Sequence, residues 1–225
     1  MNLFERIMNL IFPPKCIFCN KIMDDLADLH ICQECYKKVI FLGDNLLGIA
    51  GQDTAKGCDA AVSVCRYAGI VKDSLIKFKF YNKPGYYRTF ARLLTKYIFK
   101  VTNSIKFDMI ISVPLHKSRE TERGYNQALL ISKALSRETG IRECSRLLVR
   151  TRNTDAQSLL DRKNRLWNVK DAFSVKNAEL IEGKNILLID DILTTGTTVN
   201  ECGRILKKAG ANTVLAAVIA TGQSV

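Results

Sequence analysis

The sequence predicts an α/β protein, a parallel sheet flanked by helices with a small metal-binding module in front of it. Three observations carry this. From Ala60 onward, apolar strand-like runs alternate with amphipathic helical stretches. Two Cys-x2-Cys pairs precede them. Finally, Asn185 to Thr198 reads as a buried strand, two adjacent carboxylates, a threonine-rich loop and the start of a helix, which is how an open α/β sheet builds a ligand site.

Met1 to Phe12 is apolar in patches, at Leu3, Phe4, Ile7, Met8, Leu10, Ile11 and Phe12. It lacks a basic leader and a small-residue cleavage site, so it is a poor signal peptide, and it is too short to span a bilayer. We expect a short amphipathic helix packed on the body, no membrane span and a cytoplasmic protein. Cys16, Cys19, Cys32 and Cys35 then form two knuckles separated by twelve residues. Four thiolates suit a closed tetrahedral site, so the expectation is a structural Zn2+; two disulfides are the alternative in an oxidising compartment. His30 lies close enough to replace a thiolate, but four cysteines make it unnecessary. Cys58, Cys65, Cys144 and Cys202 stand alone and read as small core or surface residues. The division expected is residues 1–51 for the zinc module and 52–225 for the main domain.

Ala60–Tyr67 alternates as a strand does. Ile70–Phe80 has helical spacing, with Val71, Leu75 and Phe78 inward and Lys72, Lys79 and Lys83 on another face beside Phe80 and Tyr81. Lysines interleaved with aromatics suit single-stranded nucleic acid; a solvated lysine face over a buried aromatic one is the plainer reading. Tyr87–Val101 is a second amphipathic helix, with Phe90, Leu93, Leu94, Tyr97 and Ile98 inward. Phe107–Val113 is a strand that ends at a basic loop carrying His116, Lys117, Arg119 and Arg123, and a helix runs from Gly124 to Thr139. Strand, cations and helix N-terminus make an anion site. His116 either donates a proton there or hydrogen-bonds within the loop. Leu147–Arg165 is polar and cationic, with Arg150, Arg152, Arg162, Lys163 and Arg165, between strand-like flanks at Leu147–Val149 and Ala172–Val175.

Asp190 and Asp191 are neighbours on a strand, so they point to opposite faces and cannot both be core residues. They belong where the strand leaves the sheet. Thr194, Thr195, Gly196, Thr197 and Thr198 then offer hydroxyls, backbone N–H groups and a helix N-terminus. Carboxylates that accept from vicinal hydroxyls, next to a phosphate cradle, suit a sugar phosphate. A merely capped helix is the alternative. Thr213–Ala220 is the last strand.

Ile186–Thr198 resembles the phosphoribosyl pyrophosphate motif of type I phosphoribosyltransferases. The resemblance implies that Asp190 and Asp191 contact ribose hydroxyls, that Thr194–Thr198 grip the 5′-phosphate, and that Mg2+ accompanies the ligand. It also implies that the loop with His116, Lys117 and Arg119 meets the diphosphate and that the Leu147–Val175 hairpin closes over it. Enzymes of that group acting on 6-oxopurines carry an aspartate where Thr194 stands, so that chemistry is not expected. Any hood that reads an acceptor must come from before Phe107, since five residues follow the last strand. Several segments together resemble the ComF family of competence-associated proteins: the cysteine module after Phe12-Pro13-Pro14, Val113-Pro114-Leu115, Arg123-Gly124-Tyr125-Asn126-Gln127, Gln157 with Arg162 and Asn164, and the terminal motif. That implies handling of single-stranded DNA during DNA uptake, alongside other uptake proteins.

The charge is uneven. Formal net charge is +12, but residues 51–180 carry 25 basic against 12 acidic side chains, a net of +13. A diphosphate needs only a few of these cations, and the surplus suits a polyanion or a generic basic surface. The expected nucleic-acid contacts are Lys72, Lys79 and Lys83, with Arg150 and Arg152. Two functions follow: a protein that binds phosphoribosyl pyrophosphate, with or without turnover, or a single-stranded-DNA-binding or ligand-gated regulator that keeps the pocket alone.

Overall fold

A computed structural model describes residues 13–24, 27, 29–43, 57–101, 105–152 and 169–222. The expected N-terminal helix lies outside them, as do Gln157, Arg162, Lys163, Asn164 and Arg165.

The main domain is one five-stranded parallel sheet. Its strands are β1 (Ala60–Arg66), β2 (Met109–Ser112), β3 (Arg142–Glu143), β6 (Asn185–Leu193) and β7 (Thr213–Thr221), in the order β1-β7-β6-β2-β3. The middle strands β2, β6 and β7 are apolar on both faces, as strands covered by helices on both sides must be. On one face lie α2 (Gly69–Phe80), α3 (Tyr86–Val101) and α5 (Gln127–Thr139), whose Phe78, Phe90, Leu94 and Ile131 pack on Leu187, Ile189 and Leu215. On the other lies α6 (Thr197–Lys208), whose Val199, Cys202 and Leu206 pack with Ile186, Leu188 and Val214. A small antiparallel pair, β4 (Leu148–Arg150) with β5 (Phe173–Val175), joins this second face, as the two strand-like flanks suggested.

The strand order contains a reversal. β2 leads through α5 outward to β3, whereas β6 leads through α6 the opposite way to β7. The chain therefore diverges between β2 and β6, and a crevice opens at their carboxyl ends. β2 is shorter than expected: its pairing to β6 ends at Ser112↔Ile189. β6 is longer than expected, and continues along β7 as far as Leu193↔Thr221. The two acids thus lie within a strand that has lost one neighbour, rather than beyond a strand's end.

Between β2 and α5 the sequence suggested a plain loop, but a short helix, α4 (Lys117–Arg123), forms there. His116 caps its start, with Nδ1 accepting from Ser118 N, and Gly124 ends it at φ 79°, a conformation natural to glycine. Asn126 caps α5 in turn, accepting from Leu129 N and donating to Val113 O, so the loop and the helix are tied together.

The cysteine module is not separate from this core. Cys16, Ile17, Cys32, Cys35 and Val39 belong to the same buried cluster as Phe78, Phe90 and Leu94. Phe41 bridges Cys65 antiparallel, Leu42 N donates to Val64 O and Arg66 N donates to Ile40 O, so the module's tail runs along the free edge of β1. An open edge strand is thereby covered. Among the described residues no helix is long and apolar enough to cross a membrane.

Candidate functional site: a charged crevice and a four-thiol centre

The four predicted cysteines meet. Their sulfur atoms all lie within 4.8 Å of one another. Cys32 N donates to Cys16 Sγ, and Ile17 N donates to His30 O, which holds the two knuckles together. Cys32 also starts the one-turn helix α1 (Gln33–Tyr36), which carries Cys35 inward. Four converging thiols suit tetrahedral Zn2+, and His30 is outside the cluster. Cys58, Cys65 and Cys202 are buried among apolar residues and Cys144 is half-buried, as expected of isolated cysteines.

In the crevice, alternation along β6 sends Asp190 to the face of Ile186 and Leu188, and Asp191 to that of Leu187 and Ile189. Burial pushes the Asp190 carboxyl up to about 7. The neighbouring Asp191 charge adds to this, and Lys79 and Arg150 oppose it. Asp191 N donates to Asp190 Oδ1 at 2.8 Å. Asp191 itself is 5% exposed and paired with Lys79, Nζ to Oδ1 at 2.9 Å. A buried carboxylate needs such a partner.

Gly196 caps α6 with φ 78° and, lacking a side chain, leaves the first-turn N–H groups uncapped by it. Thr195 and Thr197 share a hydroxyl hydrogen bond of 2.8 Å, Thr194 is exposed, and Thr195 and Thr198 are half-buried. The loop after β6 is therefore an anion-binding turn in form.

On the α6 side of the crevice, Arg150 lies over the Phe173 ring at 5.4 Å. Its pKa is lowered by burial and by the Arg119 charge, with Asp190 acting the other way. On the α2 side, Arg123 lies over the Phe80 ring at 5.0 Å and donates to Gln127 Oε1. Its pKa is lowered by burial and also feels Asp191 and Arg119. Arg119 thus stands near both arginines, each of which feels one of the two acids. Lys117 is exposed.

The residues expected to hold nucleic acid divide, with Lys79 and Arg150 converging on the acids of β6. Lys72 and Lys83 are exposed, whereas Lys79 turns into the crevice and Arg150 is drawn under the hairpin toward Asp190. Arg152 is exposed and donates to Lys170 O. Lys72 and Lys79 are seven positions apart, so both lie on one helix face; Lys79, in the last turn of α2, is the one that reaches Asp191. The sequence signal for Lys79 was its place one residue from the helix end, which gains meaning only from where that end lies.

A phosphoribosyl transferase domain matches residues 81–224, and a double zinc ribbon domain matches residues 7–66. The ribbon match runs into β1, in keeping with the shared core. Competence protein F of Haemophilus influenzae is 32% identical over 196 residues, covering 85% of each chain. A DNA utilization protein, YhgH, of Escherichia coli is 34% identical over 156 residues, covering 68% of each. Competence protein ComFC of Bacillus subtilis is 34% identical over 148 residues, 66% of this chain and 58% of that one. With the ribbon thiols clustered and the acids of β6 standing above the threonine turn, the chain belongs to the ComF family, a phosphoribosyl transferase domain joined to an N-terminal zinc ribbon.

Proposed function

We propose that the crevice binds phosphoribosyl pyrophosphate and that the protein serves DNA uptake in the cytoplasm. The observation that carries this is the arrangement along β6: two carboxylates, then an anion-binding turn, with Arg150 near Asp190 and Arg119 near Arg150. Asp190 and Asp191 accept from the ribose hydroxyls. Thr194 to Thr198 and the α6 N-terminus hold the 5′-phosphate. His116, Lys117, Arg119 and Arg150 face the diphosphate; the Arg119 charge works against that of half-buried Arg150, a cost that an anion beside them removes. His116 is read here as a loop-capping residue. Asp190 and Asp191 would suit a hard cation, and Mg2+ brought with the ligand would supply charge neutralisation for the leaving group. If turnover occurs, the ribose C1–O bond to pyrophosphate breaks through an oxocarbenium-like state, pyrophosphate leaves, and an acceptor forms the new bond at C1. The relatives' names, competence protein and DNA utilization protein, support the cellular role. Calorimetry with phosphoribosyl pyrophosphate, with and without Mg2+, tests the reading; absence of binding under both conditions sinks it.

A second reading, single-stranded DNA binding, is favoured by one observation. Exposed Lys72 and Lys83 flank Phe80 and Tyr81, whose exposures are 61% and 66%. Lysines for phosphates and open rings for bases are what a strand needs. A salt titration of DNA affinity tests it, since phosphate contacts weaken steeply with salt.

A further inference from the structure

The root of the β4–β5 pair carries a polar clamp outside the crevice. Asp171, two residues before Phe173, has φ 53°, a left-handed conformation that costs a non-glycine residue free energy unless its surroundings hold it. What holds it is α6. Asp171 N donates to Glu201 Oε1 at 2.8 Å, and Arg204 Nη2 donates to Asp171 Oδ1 at 2.9 Å. Arg204 also grips Glu201 with two arms of its fork, Nε to Oε2 at 2.8 Å and Nη2 to Oε1 at 2.7 Å. These hydrogen bonds from Arg204 hold the Glu201 carboxyl below the usual carboxylate range. Isolated exposed pairs contribute little, but a bidentate fork within a network is the exception.

Both ends of this clamp lead back to the crevice. On α6, Glu201 and Arg204 follow Thr197 by four and seven positions, so they share its side of the helix. Glu201 is therefore about 6 Å along the axis from the anion-binding turn. On the hairpin, Ala172 O accepts from Thr151 N, and Phe173 pairs in register with Arg150 and lies under its guanidinium at 5.4 Å. Leu148, Ala172 and Phe173 keep the pair packed on this face. Apolar contact is non-directional, however, and two strands of three residues pair weakly by themselves. The directional bonds to Asp171 set where Phe173 stands, and with it Arg150.

We infer that Asp171, Glu201 and Arg204 are positioning residues for Arg150. Through them one helix fixes the spacing between the cation that faces the diphosphate and the turn that holds the 5′-phosphate. The identity of the ligand rests on the phosphoribosyl reading; the mechanical link from α6 to Arg150 does not.

The test is calorimetry on the full chain with Mg2+, comparing phosphoribosyl pyrophosphate with ribose 5-phosphate, which lacks the diphosphate. Arg204→Met should weaken phosphoribosyl pyrophosphate by about tenfold, within the scale of a misplaced binding group, and leave ribose 5-phosphate unchanged. Arg204→Lys should recover only part of the loss, because an ammonium cannot reproduce the fork. Arg150→Met should cost at least as much as Arg204→Met. Adding Arg204→Met to it should cost nothing further, since a residue that acts through Arg150 has nothing left to position. Additive losses, or an equal loss of ribose 5-phosphate, overturn the inference. Hydrogen exchange tests the link without any ligand. In Arg204→Met the Thr151 amide should exchange about tenfold faster or more, while the amides of β6 keep their protection. Unchanged exchange at Thr151 overturns the inference as well. If the unaltered protein fails to bind phosphoribosyl pyrophosphate while Thr151 exchange is accelerated in the variant, the phosphoribosyl reading fails and the positioning of Arg150 stands.

Discussion

Lys79 of α2 and Asp191 of β6 form an ion pair of 2.9 Å at the mouth of the crevice, 112 positions apart in the chain. The helix that the sequence marks as a basic, nucleic-acid-facing element instead sends one of its lysines into the acidic centre. Exposed pairs contribute under about 1 kcal/mol, and breaking a fully buried pair costs about 3–5 kcal/mol. This partly buried pair lies between, so Lys79→Met should destabilise the fold by roughly 1–3 kcal/mol in denaturant melts. Lys79→Arg should recover part of that loss.

The ribbon should not unfold alone. Cys32→Ser should release the zinc, read by elemental analysis. Because Cys16, Cys32 and Cys35 share a cluster with Phe78 and Phe90, it should also lower the melting temperature of the whole chain. A ribbon that folded apart from the main domain, as the division at residues 51 and 52 expects, would leave the core unchanged. A melting curve unchanged on metal loss would restore that view.

Asp190→Asn together with Asp191→Asn should weaken phosphoribosyl pyrophosphate binding by about 2–3 kcal/mol, since the amide oxygens still accept but two charged hydrogen bonds become neutral ones. Calorimetry with Mg2+ present checks it, and an unchanged affinity would move the ribose elsewhere.

Asp190 should give the protein a pH signature. Its pKa is about 7 in the folded chain, against 3.8 ordinarily. Between those values the folded state binds the extra proton, so stability from this group falls as pH rises from about 4 to 7 and is level above. Asp190→Asn should remove that slope from pH-dependent melts. Ligand affinity should run the other way, rising through pH 7 as the carboxylate that accepts ribose hydroxyls becomes ionised.

Gly203→Ala is expected to be severe. A Cβ there would fall 2.4 Å from Cys58 Sγ and 2.5 Å from Gly57 O. The second of these is backbone and cannot step aside, so α6 would have to lift from the sheet. A loss of about 1–3 kcal/mol is expected, as for overpacked cores, measured by denaturant unfolding.

For nucleic acid, Lys72→Glu with Lys83→Glu is the informative pair, since Lys79 is committed to Asp191. The salt slope of single-stranded DNA affinity should flatten by roughly 0.7 for each phosphate that is no longer neutralised. A slope that survives would place the strand on another surface.

The sequence alone determined the local elements and the chemistry they carry. Period-2 and period-3.6 patterns marked β1, α2 and α3, because burial of one face must repeat with the geometry of the backbone, and an unbroken apolar run marked β6. The cysteine spacing announced a four-thiol centre, and Asp190-Asp191 followed by the threonine turn announced an anion site, because those side chains are tolerated together only where water or a ligand meets them. The short helix α4 was missed, since its signals were a histidine cap and a glycine stop rather than an apolar stripe. What only the tertiary structure decided was which distant charges share a space. Lys79, Arg119, Arg123 and Arg150 look alike as exposed cations in the sequence. The strand reversal between β2 and β6 opens the crevice, and the ends of α2, α4 and β4 then turn these residues toward it. Pairing between positions this far apart depends on how helices cross the sheet, a relation that no local pattern encodes.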